Sequence, residues 1–172
     1  MSWEYTGRER PSFADKPRPG QRSVWDFPRP PAIEPDGRRV MVRYGDIVIA
    51  ETTSALTVLE TASAPGFYLP IDDVRMDLLR PIPRRTACEW KGSAHYFDLE
   101  LPGGVVPEVG WSYPQPRAAF AAIAEFISFY PARVECYLDD ERVEPQPGGF
   151  YGGWVTADLA GPIKGAPGTA GW

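Results

Sequence analysis

The chain predicts a mainly β domain, a compact antiparallel barrel or a tent-like pair of sheets, with one buried α-helix at about 116–130. Three observations predict it. Short runs of alternating apolar and polar residues recur at Val40–Tyr44, Leu56–Glu60 and Ala94–Leu101. Turn signals such as Gly45-Asp46, Pro65-Gly66 and Pro102-Gly103-Gly104 separate these runs. Twenty prolines and 17 glycines among 172 residues favour short elements over long helices.

The order of elements follows from the same signals. Residues 1–22 form a Pro/Arg-rich arm (PSFADKPRPG) that suits neither helix nor central strand, and flexibility is expected there. Trp25 and Phe27 then place an apolar pair inside a proline run, which suits an extended segment pinned to the domain; a ligand role for Trp25 is the alternative. Residues 23–144 are read as one β-rich domain, a length that suits a single core. Its first hairpin is Arg39–Glu51, with Tyr44 opposite Ile47, Val42 opposite Ile49 and Val40 opposite Glu51. Glu51 then closes an apolar face, either at the sheet rim or in a pocket. Leu56, Val58 and Glu60 share one side of the next strand, and Phe67-Tyr68-Leu69 pairs back on it. Asp72 can cap a short helical turn that ends before Pro81.

Arg80–Arg85 (RPIPRR) reads as a basic loop or a local anion-binding edge. Ala94–Leu101 is a strand with His95, Phe97 and Leu99 on one face and Ala94, Tyr96 and Asp98 on the other. Val105–Trp111 returns beside it. Pro116–Tyr130 follows helical spacing through Phe120, Ile123, Ile127 and Tyr130, with Pro116 suited to the first position and Pro131 ending the run. Arg133–Leu138 is a last strand. Residues 145–172 are glycine-rich yet carry Phe150, Tyr151, Trp154 and Trp172, so this tail is expected to wrap the domain or a second subunit.

Composition bounds the function. A net charge of −5 argues against a nucleic-acid backbone binder, which needs a basic surface. No stretch approaches the roughly 18 apolar residues of a membrane span, and MSWEYTGRER lacks the apolar run of a signal peptide. Cys88 and Cys136 are too few for a disulfide framework, so a cytoplasmic protein with reduced thiols is expected. No metal site and no cofactor are predicted: three Cys and His residues in all cannot supply a structural zinc site, and no phosphate-loop or dinucleotide-binding glycine pattern occurs.

The stretch Thr86–Tyr113 concentrates the reactive and aromatic side chains. Cys88 is a candidate nucleophile, with His95 or Lys91 as basic neighbours, and His95 a candidate general base; a buried thiol and a core or rim histidine are the alternatives. Lys91-Gly92 offers a point charge beside backbone that a ligand can approach closely. Trp90, Tyr96, Trp111 and Tyr113 either line a pocket or belong to the core. Gly161-Pro162-Ile163-Lys164-Gly165 has no phosphate-loop spacing and reads as loop.

Cys88-Glu89-Trp90-Lys91-Gly92 with Ala94 and Tyr96, Val24-Trp25-Asp26-Phe27-Pro28-Arg29-Pro30-Pro31, Trp111-Ser112-Tyr113-Pro114 and Phe129-Tyr130 occur in an order that resembles a bacterial and fungal family, the domain of unknown function 427. That family sometimes carries the label nucleotidyltransferase-like. Phe150-Tyr151-Gly152-Gly153-Trp154, Gly161-Pro162 and Lys164-Gly165 resemble a longer subgroup, in which an aromatic residue often stands where this chain has Ile163. The resemblance covers roughly residues 23–172. It implies a compact, mainly antiparallel β domain with one helix, and brings no established activity or catalytic residues. The paired acidic ligands after a Gly-Ser signal that nucleotidyltransferases use have no counterpart here.

The leading expectation is a pocket lined by Glu60, Lys91, Tyr96, Trp111 and Tyr113 that binds a small anionic or nucleotide-like ligand. An enzyme at that pocket, through nucleotidyl transfer or Cys88/His95 acid–base chemistry, is one alternative. A homo-oligomeric module that exchanges arm or tail between subunits is the other.

Overall fold

A computed structural model describes residues 2–172. The strands, in chain order, are β1 (Arg22–Ser23), β2 (Ala32–Asp36), β3 (Val40–Tyr44), β4 (Ile47–Thr52), β5 (Ala55–Leu59), β6 (Gly66–Pro70), β7 (Leu79–Cys88), β8 (Gly92–Leu101), β9 (Gly104–Ser112), β10 (Phe126–Phe129), β11 (Glu135–Leu138), β12 (Glu141–Arg142), β13 (Glu144–Pro145), β14 (Trp154–Val155) and β15 (Leu159–Ala160). Seven of them form an open antiparallel sheet in the order β2-β5-β6-β10-β9-β8-β7. Four form a second sheet, β12-β11-β3-β4. Of the two expected architectures the chain adopts the two-sheet one, since β2 and β7 remain unjoined edges.

The two sheets close on one apolar layer. Val40, Val42, Ile49, Cys136 and Leu138 come from the smaller sheet; Phe67, Leu69, Leu99, Ile127 and Phe129 come from the larger. Side chains alternate along β6, so Phe67 and Leu69 enter this layer while Tyr68 faces the other side. That outer face carries a second cluster containing Val58, Tyr96, Trp111, Tyr113, Phe120 and Ile123.

The α-helix expected at 116–130 does not form. Ala118–Ile123 is a 3-10 segment with a kink at Phe120, and Phe126–Phe129 is strand β10. The reason is tertiary. β10 fills the gap between β6 and β9, pairing with both, so its backbone groups complete two ladders that a helix would leave open. The local sequence also alternates, with Ile127 and Phe129 in the inter-sheet layer and Phe126 and Tyr130 at the outer face.

Two further expectations change. RPIPRR is not a loop but part of β7. Its prolines are tolerated because β7 is a sheet edge, where missing donors cost no ladder bond. The first hairpin keeps Tyr44 opposite Ile47, but a bulge between Val42 and Arg43 puts Val42 opposite Ala50 and Met41 opposite Glu51. The bulge lets Ile49 and Ala50 both be buried. Glu51 ends at the exposed rim, 2.8 Å from Arg39.

Arm and tail lie against the domain. Tyr5, Phe13, Trp25 and Trp172 interlock, with Phe13 stacked on Trp172 at 5.2 Å between centroids. Trp154 is fully buried, stacks on Phe67 at 4.8 Å and donates its indole N–H to the Phe129 carbonyl at 3.0 Å. Tail strand β15 pairs with β1, and β14 with β13. No helix among the described residues is long and apolar enough to cross a membrane.

Candidate functional site

The outer face of the seven-stranded sheet holds a cavity of about 280 Å³. Alternation along β5, β6 and β9 turns Val58, Tyr68 and Trp111 toward it, and Glu60 and Tyr113 follow at the strand ends. The end of β7 contributes Cys88, and the turn that follows it contributes Trp90 and Lys91. Gly92, at φ +109°, gives that turn a conformation side-chain-bearing residues rarely adopt. Tyr96 reaches the cavity from β8, and its hydroxyl lies 2.7 Å from that of Thr86.

Glu60, Lys91, Tyr96, Trp111 and Tyr113, separated by up to 53 positions in sequence, thus line one cavity, and Cys88 joins them. His95 does not. It sits on β8 between Arg85 and Ser112, where burial and then Arg85 hold its pKa below the ordinary value. Cys136 lies in the inter-sheet layer, where burial pushes its thiol up and makes it unreactive.

Arm and tail complete the cavity with residues that sequence reasoning did not assign to it, among them Trp3 from the arm and Tyr151, Gly152 and Lys164 from the tail. Gly152 passes over the Trp111 ring so closely that a Cβ there would lie 2.0 Å from Cη2. A signal for Lys164 existed. The chain has three lysines, at 16, 91 and 164, against fifteen arginines, and two of those lysines face this cavity.

The electrostatics differ from one lysine to the other. Burial works to lower the Lys91 pKa, but the groups facing it, with Glu60 the carboxylate among them, hold the ammonium above its ordinary value. Its Nζ also lies 5.6 Å from the centroid of the Tyr113 ring. Lys164 is only 4% exposed, and its Nζ lies 4.9 Å from the Trp3 ring centroid and 5.2 Å from that of Tyr151. Burial and the Arg29 guanidinium lower its pKa, against the pull of Glu60 and Glu89. Burial raises Tyr68, Tyr113 and Tyr130, so all three are neutral phenols at neutral pH.

Arg29 organises the rim from behind. It is 7% exposed and donates to the main-chain oxygens of Tyr5, Thr61 and Trp172 at 2.8, 3.0 and 3.1 Å. Its guanidinium also lies 3.7 Å from Glu60 and 4.1 Å from the Trp3 ring centroid. Two indole N–H groups at the cavity, Trp3 Nε1 and Trp90 Nε1, are buried without a protein partner. Among the described residues no cluster of three His, Cys, Asp or Glu side chains could hold a metal ion.

The pattern defining a family described as Domain of unknown function (DUF427) matches residues 32–140, which span β2 to the turn after β11. No curated protein matches the chain.

Proposed function

The chain belongs to the DUF427 family, and on that premise we propose that its cavity binds a small anionic ligand with a flat or apolar body. One observation carries the reading: Lys91 and the nearly inaccessible Lys164 face the same aromatic-walled cavity, beside two indole N–H groups that lack partners. A buried donor without an acceptor is costly, at about 1–3 kcal/mol, and a bound carboxylate or phosphate relieves that cost. The balance of charge agrees. Lys91, Lys164 and Arg29 stand against Glu60 and Glu89, and Glu89 is exposed to solvent. A volume near 280 Å³ lies just below the usual range of small-molecule sites, roughly 300–1,000 Å³, which favours a compact acid or a mononucleotide over a dinucleotide.

A thermal-shift panel of small carboxylates, sugar phosphates and nucleoside monophosphates tests this on wild type and Lys91→Ala. A ligand that binds the native state alone raises the melting temperature by mass action. The expected result is a shift in wild type that Lys91→Ala loses. A folded wild type that responds to nothing in the panel refutes the reading. The second reading is an enzyme at this cavity. The observation favouring it is that the Cys88 thiol lines the same wall as Lys91, so alkylation of Cys88 that a bound ligand blocks would give it weight.

A further inference from the structure

We propose that Lys164 is an amine nucleophile that forms a reversible imine with a carbonyl compound bearing a carboxylate or phosphate, whose charge Lys91 holds. The inference rests on the anion-site reading above and names the ligand class.

The geometry around the two cations carries it. Lys164 Nζ and Arg29 Nη2 donate to the same atom, the Trp172 main-chain oxygen, at 3.3 and 3.1 Å. Both also sit over the same Trp3 ring. Glu60, one of the two carboxylates near this corner, makes its ion pair with Arg29. Lys164 is therefore a buried cation that shares its acceptor with a second, permanently charged cation beside it. Such crowding, with burial, favours the neutral amine. The charged groups facing Lys164 are Arg29, Glu60 and Glu89, and burial with Arg29 prevails over the two carboxylates.

Lys91 is set the opposite way. Its surroundings favour the ammonium. Two like groups whose environments push them apart divide the labour at a site: one stays charged and holds an anion, the other gives up its proton and reacts. The three-lysine composition fits this division, because arginine can hold an anion but cannot supply a neutral amine.

The step balances without any added oxidant or reductant. The Lys164 lone pair attacks the carbonyl carbon and forms an N–C bond. The nitrogen loses a proton to the carbonyl oxygen, giving a carbinolamine. The remaining nitrogen proton passes to that hydroxyl, which leaves as water as the C=N bond forms. The neighbouring phenols of Tyr68 and Tyr113 stay protonated at neutral pH and do not compete as nucleophiles.

The test uses 4-carboxybenzaldehyde, which is flat, anionic and an aldehyde, with cyanoborohydride to fix any imine as a secondary amine. Folded protein is treated near neutral pH, and the adduct is located by peptide mass spectrometry. The expected result is one adduct, at Lys164, forming faster than at exposed Lys16, since a lowered pKa raises the neutral amine fraction. Lys164→Arg abolishes it, and Lys91→Met slows it. Equal labelling of Lys16 and Lys164, or labelling centred on Lys91, overturns the inference. A parallel thermal shift with 4-methylbenzoate, which has no carbonyl to trap, separates the two claims. A shift dependent on Lys91 without adduct at Lys164 sinks the imine and leaves the anion site standing. No shift and no adduct sinks both.

Discussion

Gly152→Ala should unseat the tail from the cavity wall. The added Cβ would lie 2.0 Å from Cη2 of Trp111, 2.7 Å from Cζ3 and 3.0 Å from Cζ2. Carbon atoms sit comfortably at about 3.5–4.0 Å, so one partner must move by about 1.5 Å. The Trp111 ring cannot easily supply that movement. It is 7% exposed, packed at 4.4 Å between centroids against Tyr130 and edge-on to Tyr68. The strand that carries it is a central one. The tail is therefore the part that lifts, and overpacking of this kind costs about 1–3 kcal/mol. In a chain of 172 residues that is a fall in melting temperature of roughly 2–12 °C. Gly37→Ala is the matched control, because an added Cβ there meets nothing within 4 Å and its φ is not positive. Urea unfolding and differential scanning fluorimetry measure both variants. Loss of stability in Gly152→Ala together with faster proteolysis after residue 145 is expected, with Gly37→Ala unchanged or slightly more stable. Equal stability of the two variants would refute the idea that close passage over Trp111 fixes the tail.

Other perturbations probe the same frame. Trp154→Phe keeps the stack on Phe67 but strands the Phe129 carbonyl, so a loss of about 1–3 kcal/mol in urea unfolding is expected, below the roughly 3–5 of Trp154→Ala. Arg29→Lys retains one charge but lacks the planar fork that serves three main-chain oxygens, and should loosen the arm so that trypsin cuts after the exposed Arg8, which no proline follows, sooner than in wild type. Burial works to raise the Asp36 pKa, but its hydrogen bonds and ion pair with Arg38 at 2.7 Å outweigh burial and hold it below the ordinary carboxylate value. The ionised form is thus favoured in the fold, and its contribution is present above about pH 3.9 and lost as pH falls through the lowered value. Asp36→Asn should flatten the acid limb of melting temperature against pH below that point; an unchanged slope would assign the acid sensitivity elsewhere.

Much of the fold was legible because each strand buries residues in step with its pleat. Leu56, Val58 and Glu60 do share a face, and the Phe67-Tyr68-Leu69 strand does pair back on theirs, with Tyr68 opposite Leu56. The failures have a common cause, which is that strand position in a sheet is not local information. RPIPRR looks unfit for a strand only if the strand is central; at the edge its prolines are harmless. Phe126–Phe129 looks helical beside five alanines in 118–124, but the slot between β6 and β9 decides its conformation. Helix propensity differs among these residues by less than about 1 kcal/mol each, which two completed ladders outweigh.

The site was half legible for the same reason. Lys91 announced itself because it stands in a dense aromatic stretch of sequence. Lys164 stands in a glycine-rich loop and gains its meaning from partners far along the chain: Trp3, Arg29 and Glu60. Composition held the clue that local pattern lacked. A chain that uses arginine for nearly all its basic surface keeps lysine at two positions lining one cavity, and the imine proposal assigns Lys164 a property arginine does not have. That property is a proton the side chain can lose. If the cavity needed only positive charge, Lys164→Arg would bind the anion as well as wild type and nothing else would change. If it needs the amine, Lys164→Arg keeps binding and loses the covalent adduct, and the two outcomes part at a single substitution.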